Sequence, residues 1–132
     1  MKTLQTFVLA LGLSAVATPA MADIDGEKVA RKCSSCHTFD DGGRNLTGPN
    51  LFGIIGREAG SKDDFPRYSK SMKSLGEGGF VWTEDKIKEY VQDPTTFLRA
   101  ETGDAKARGL MSFKLTKEDE IEAIAAYLAT LK

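Results

Sequence analysis

The sequence predicts an all-α domain of short helices joined by long loops, and three observations predict it. Apolar residues recur at helical spacing, most clearly at Ile121, Ile124, Ala125, Leu128 and Leu131. No alternating run of apolar and polar residues reads as a strand, and no segment repeats another. Glycines punctuate residues 38–68, at Gly42, Gly43, Gly48, Gly53, Gly56 and Gly60, in the pattern of neither regular element.

Taken in order, residues 1–22 read as a secretory signal. Lys2 gives a positive start, residues 7–17 an apolar run too short to span a bilayer, and Ala20-Met21-Ala22 a small-residue cleavage site. Cutting after Ala22 leaves residues 23–132, enough chain for one domain. Residues 26–33 predict a short helix with Val29, Ala30 and Cys33 toward one side. The long passage over 38–68 follows, and a loop of that length in a small domain demands a cause. It contains no phosphate-loop spacing.

Residues 69–75 predict one or two helical turns stopped by Gly76. A firmer helix opens at Thr83, a good N-cap before Glu84 and Asp85, with Trp82 and Ile87 placed as a hydrophobic staple. Asp93-Pro94 ends it and starts another short helix toward Ala100, because proline suits the first helical position. Residues 101–115 read as loop. The last helix is predicted to begin with Thr116 as its cap and Asp119 three residues on.

Both cysteines and the single histidine lie in Cys33-Ser34-Ser35-Cys36-His37. Two thiols three residues apart with an imidazole next to them fit a covalently attached haem c. Each sulfur closes a thioether on a vinyl group, and His37 ligates the iron. A haem would also explain the long loop, since the chain can wrap a large apolar disc in place of a side-chain core. A dithiol oxidoreductase uses the same cysteine spacing, but expects a strand before it, and residues 26–32 read helical. A structural zinc site needs a fourth ligand that no second Cys/His pair supplies.

The charge balance excludes nucleic acid as a general partner: 18 lysines and arginines face 19 acids, for a net charge of −1. The distribution says more. Lys28, Arg31 and Lys32 precede the cysteines, and Lys106, Arg108, Lys114 and Lys117 form a second group with no acid among them. Together they form either a solvated face or a docking patch for an acidic partner.

The iron also needs a sixth ligand, and with no second histidine methionine is the natural candidate. Met1 and Met21 fall in the signal segment, leaving Met72 on a predicted helix and Met111 in a loop beside Phe113. The loop position favours Met111, helical methionines being common core filler, and leaves Met72 open.

The order of Cys33-Ser34-Ser35-Cys36-His37, Thr47-Gly48-Pro49-Asn50-Leu51, Gly56-Arg57, Trp82-Thr83-Glu84, Tyr90 with Asp93-Pro94, and Met111-Ser112-Phe113 resembles the class I c-type cytochromes. Residues 97–115 are similar to the bacterial cytochrome c2 and c550 subgroup. The resemblance covers nearly all of residues 23–132 and implies the small cytochrome c fold around one haem. It implies Met111 as the sixth ligand and the Pro49 carbonyl as the partner of the His37 ring. It also implies haem contacts from Arg57, Tyr68 and Trp82 at the propionates, from Tyr90 near the methionine sulfur, and from Phe113. Family members usually set an aromatic near position 30 against the last helix, so Ala30 is a departure that bears on how closely the first and last helices meet.

The function implied is a monomeric, periplasmic one-electron carrier, not an enzyme, because histidine and methionine would fill both axial positions. It would run from a bc1-type complex to a photosynthetic reaction centre, terminal oxidase or denitrification reductase. A peroxidase-like haem enzyme, the rival reading, requires Met111 to be displaceable.

Overall fold

A computed structural model describes residues 24–132, so the signal segment expected at residues 1–22 lies outside the described residues. Five helices follow: α1 (Gly26–Ala30), α2 (Lys70–Glu77), α3 (Glu84–Gln92), α4 (Pro94–Thr102) and α5 (Glu118–Thr130). Among the described residues the sole β pairing is an isolated antiparallel bridge, Glu58 to Val81. Four of the five starts are capped by side chains that accept an otherwise unpaired first-turn amide. Asp25 accepts from Glu27, Ser69 from Met72, Thr83 from Lys86, and Asp93 from Thr96.

Four boundaries differ from expectation, the first being α1, which ends at Ala30 and gives way to hydrogen-bonded turns before Cys33. Gly76 does not stop α2, which continues to Glu77. A Cβ at Gly76 would stand 1.8 Å from the Ala59 carbonyl oxygen, so this glycine admits a crossing strand of backbone rather than ending a helix. α4 extends past Ala100 to Thr102 and ends on Gly103 in the left-handed conformation. Thr116 is not the cap of α5: the helix begins at Glu118, and Lys117 holds the cap position without a side-chain bond. Three acids, Glu118, Asp119 and Glu120, occupy that first turn and complement the helix dipole instead.

α1 and α3 both pack on α5, and α4 packs on α2 and α3. The apolar stripe read from the sequence is the inner face of α5: Ile121, Ile124, Ala125 and Leu128 are buried with Val29, Ala30, Ile87, Val91 and Leu98. Trp82 and Ile87, the two staple positions, are also buried. Ala30 does not hold α1 away from α5. The helices meet at Gly26, where a Cβ would lie 2.3 Å from the Ala123 carbonyl oxygen and 2.6 Å from Tyr127 Cβ. The aromatic partner of Tyr127 is Phe39, with ring centroids 6.0 Å apart.

Candidate haem site

The cysteines follow α1 without a break in hydrogen bonding. Lys32 and Cys33 donate to Val29 and Ala30 as three-residue turns, then the Cys36 and His37 amides both donate to the Cys33 carbonyl, at 3.1 and 3.0 Å. That backbone turn holds Cys33, Cys36 and His37 within one turn of chain. The thiols are free and half-buried. Burial, reinforced by the neighbouring Cys36, pushes the Cys33 thiol above its ordinary pKa, and Lys32 opposes this only in part. A dithiol catalyst needs the opposite shift.

His37 is held by the long loop. Its Nδ1 and the Pro49 carbonyl oxygen are 2.7 Å apart, and burial lowers the ring's pKa against the opposing pull of that carbonyl. A neutral ring donating from Nδ1 leaves Nε2 with a free lone pair, the form that binds a metal. Gly48 lies flush with the ring: a Cβ there would meet Cε1 at 2.3 Å.

Asn50 builds the loop that delivers Pro49. It is the one buried polar residue among the described residues. Its Nδ2 donates to Thr38 Oγ1 at 2.8 Å and to the Asp40 carbonyl at 3.0 Å, and its Oδ1 accepts from Phe52. The Asn50 amide donates to Asn45 Oδ1. Four hydrogen bonds around one side chain and its amide replace the regular structure this segment lacks. Asn50 stands in the quoted motif, but sequence alone assigned it no role; an asparagine in a glycine-rich turn was the available signal.

Arg57 and Trp82 are brought together by backbone pairing that the sequence did not announce. Gly56 donates to the Trp82 carbonyl at 2.8 Å, Trp82 to the Arg57 carbonyl at 2.9 Å, and Ala59 to Phe80 at 2.9 Å. The Arg57 guanidinium is half-buried, donates to the carbonyls of Asn50 and Phe52, and makes no ion pair with a carboxylate among the described residues. Burial lowers its pKa, and burial raises that of Tyr68, where Arg57's charge pulls the other way.

Trp82 and Tyr90 belong to a four-ring cluster with Phe80 and Phe97. Trp82 stacks on Phe97 at 5.8 Å and meets Tyr90 edge-on at 5.0 Å. Phe80 meets both Trp82 and Phe97 edge-on. Burial alone pushes the Tyr90 hydroxyl up to about 12.

The two methionines separate cleanly. Met72 is buried in the core on α2, whereas Met111 is half-buried in the loop between α4 and α5. Its neighbours Leu110 and Phe113 are 74% and 42% exposed, so Phe113 is the most open of the expected contact residues.

These groups fit the expected cofactor: two free thiols for the vinyl carbons, one neutral imidazole, a half-buried cation with no carboxylate partner among the described residues, and a cluster of aromatic rings. Short helices strung around long loops, with this turn at the end of the first helix, define a c-type haem protein. A family model described as Cytochrome c matches residues 24–132. A cytochrome c2 of Rhodospirillum rubrum is 52% identical over 107 residues, covering 81% of this chain and 78% of that protein. A cytochrome c2 of Cereibacter sphaeroides is 44% identical over 135 residues, covering 94% and 93%. The solved cytochrome c2 of Rhodobacter sphaeroides superposes with a TM-score of 0.74 at 48% identity, covering 80% of this chain and 92% of that one.

The chain belongs to the cytochrome c family, of the class I cytochrome c2 type. It is an electron-transfer protein, and its cofactor is haem c joined through Cys33 and Cys36.

Proposed function

We propose that this cytochrome is a soluble, monomeric, periplasmic one-electron carrier whose iron is held between His37 Nε2 and the Met111 sulfur. The observation that carries the reading is the His37–Pro49 pair at 2.7 Å, which fixes the ring with one nitrogen committed and the other free. Haem c, when bound, supplies the one-electron couple. The chain does the rest. Pro49 would raise the basicity of the imidazole, Arg57, Tyr68 and Trp82 would hold the propionates, Tyr90 would lie near the Met111 sulfur, and Phe113 would contact the ring. With haem c bound, Met111 would hold the iron through a soft neutral donor, which would favour Fe(II) and raise the potential. Residues 1–22 direct export and are removed.

Electrons would pass from a quinol-oxidising bc1-type complex to a membrane acceptor such as a reaction centre, terminal oxidase or denitrification reductase. Support for cationic docking is narrower than the sequence implied. Lys32 and Lys117 pair with Glu120, and Lys114 pairs with Asp93. Lys28, Arg31, Lys106 and Arg108 make no ion pair among the described residues and are exposed. Lys70 and Lys73 on α2 join the second group, because the Arg108 amide bonds to Ser71 between them.

An optical spectrum of the exported protein tests the proposal. It should show haem that acid acetone does not extract, together with the weak far-red band of methionine on Fe(III). Extractable pigment, or a band that survives Met111→Ala, would overturn it.

A further inference from the structure

The Met111 segment is tied at both ends and loose between them. Downstream, the Leu115 amide donates to the Val91 carbonyl at 2.8 Å and Lys114 Nζ reaches Asp93 Oδ2 at 2.6 Å. Upstream, Arg99 Nε donates to the Ala107 carbonyl at 3.3 Å, and the Arg108 amide donates to Ser71 Oγ at 3.0 Å. Residues 109–114 make no backbone hydrogen bond among the described residues.

The two ends are not equally secured. The downstream end has two bonds to the α3–α4 corner. Upstream, the long Arg99–Ala107 bond joins α4 to the loop that immediately follows it, so it would travel with α4. The Ser71–Arg108 bond spans 37 positions and ties this loop to α2, a separate element. Nothing in helix formation requires it, since α2 is capped by Ser69 and the Ser71 hydroxyl is spare.

We propose that Ser71 is a positioning residue for Met111: its hydroxyl fixes the upstream end of the ligand loop and so governs how readily the thioether gives way to a competing ligand. This rests on the reading of Met111 as an axial ligand. With haem c bound, an imidazole nitrogen would replace the Met111 sulfur on the iron, with no change in oxidation state. The loop must open for that exchange, and opening separates the Arg108 amide from Ser71. Holding the loop closed therefore opposes exchange without touching the iron.

The test uses the haem-loaded protein with Ser71→Ala and Ser71→Thr, and imidazole as the competitor against Fe(III). Loss of the far-red band gives the exchange, and amide hydrogen exchange gives the opening. Ser71→Ala should raise imidazole affinity and Arg108 amide exchange about fivefold, the factor one ordinary hydrogen bond is worth. Exchange at Leu98 and Ile124 should stay unchanged, and Ser71→Thr, which keeps the hydroxyl, should restore both readings. Unchanged imidazole binding in Ser71→Ala, no rescue by threonine, or uniform acceleration at every amide would overturn the proposal. Should Ser71→Ala fail to fold, the wild type still decides: the Arg108 amide must exchange more slowly than that of exposed Leu110. A wild type lacking the far-red band would instead overturn the Met111 ligation, and this proposal with it.

Discussion

Gly48 presses its backbone against the ring of His37, so closely that a Cβ would fall 2.3 Å from Cε1 and 2.7 Å from Nδ1. The next residue, Pro49, holds that same Nδ1 through its carbonyl at 2.7 Å. One residue limits the ring's position by contact, and its neighbour sets the orientation by a hydrogen bond. Gly48→Ala should therefore displace the imidazole and lower unfolding stability by about 1–3 kcal/mol, the usual cost of overpacking. Denaturant titration checks the stability, and an unaltered midpoint would show that the contact is slack.

The two methionines should respond in opposite ways. Met72 fills the core, so Met72→Ala should cost about 2–5 kcal/mol of stability and spare the far-red band. Met111→Ala should abolish the band. Denaturation and optical spectra of the two variants side by side distinguish these roles.

Closure of α1 on α5 depends on the missing side chain at Gly26. Gly26→Ala would drive a methyl into the Ala123 carbonyl, which is backbone and cannot turn aside. We expect a loss of about 1–3 kcal/mol in unfolding experiments with the haem spectrum retained. A neutral result would mean the helix pair can slide apart at little cost.

Asp93 links acid stability to the loop that follows Met111. The hydrogen bond from Lys114, with help from the Thr96 amide, holds its carboxyl down to about 2. A carboxyl whose folded pKa is depressed stabilises fully above the ordinary range near pH 4, and loses that contribution as pH falls through about 2. Asp93→Asn keeps a capping oxygen and removes the charge. Its stability between pH 4 and 2 should fall less steeply than that of the wild type. Parallel curves in acid would assign the dependence to other carboxylates.

If exposed cations steer encounter, electron transfer with a bc1-type donor should slow at least about tenfold from low to physiological ionic strength. Replacing Lys106 and Arg108 together by Glu should slow it at low salt and flatten that dependence. Stopped-flow rates across a salt series supply the check, and a flat wild-type profile would remove the docking role.

Much of this molecule was legible in one dimension because its chemistry is local. Cys33, Cys36 and His37 sit within one turn, so their spacing alone brings them together. The caps at Thr83 and Asp93 act within three residues, and the stripe on α5 repeats every three or four. The cap of α5 was misplaced because Thr116 is a good capping residue one position too early, and propensity cannot measure that register. Gly76 was misread because a glycine's reason can lie in a neighbour, here Ala59, that is seventeen positions away in the chain.

The sequence by itself determined the helices, the haem-attaching turn and the family. Only the tertiary structure decided that Asn50 organises the loop behind Pro49, that Arg57 and Trp82 share a backbone pairing, that Phe39 meets Tyr127, and that Ser71 reaches Arg108. It also decided which cations stay free, since Lys32 and Lys114 find acids 88 and 21 positions away. The physical reason is range. Periodicity and capping are settled by neighbours along the chain, whereas a hydrogen bond between distant loops exists only once the core has brought them within 3 Å or so of each other.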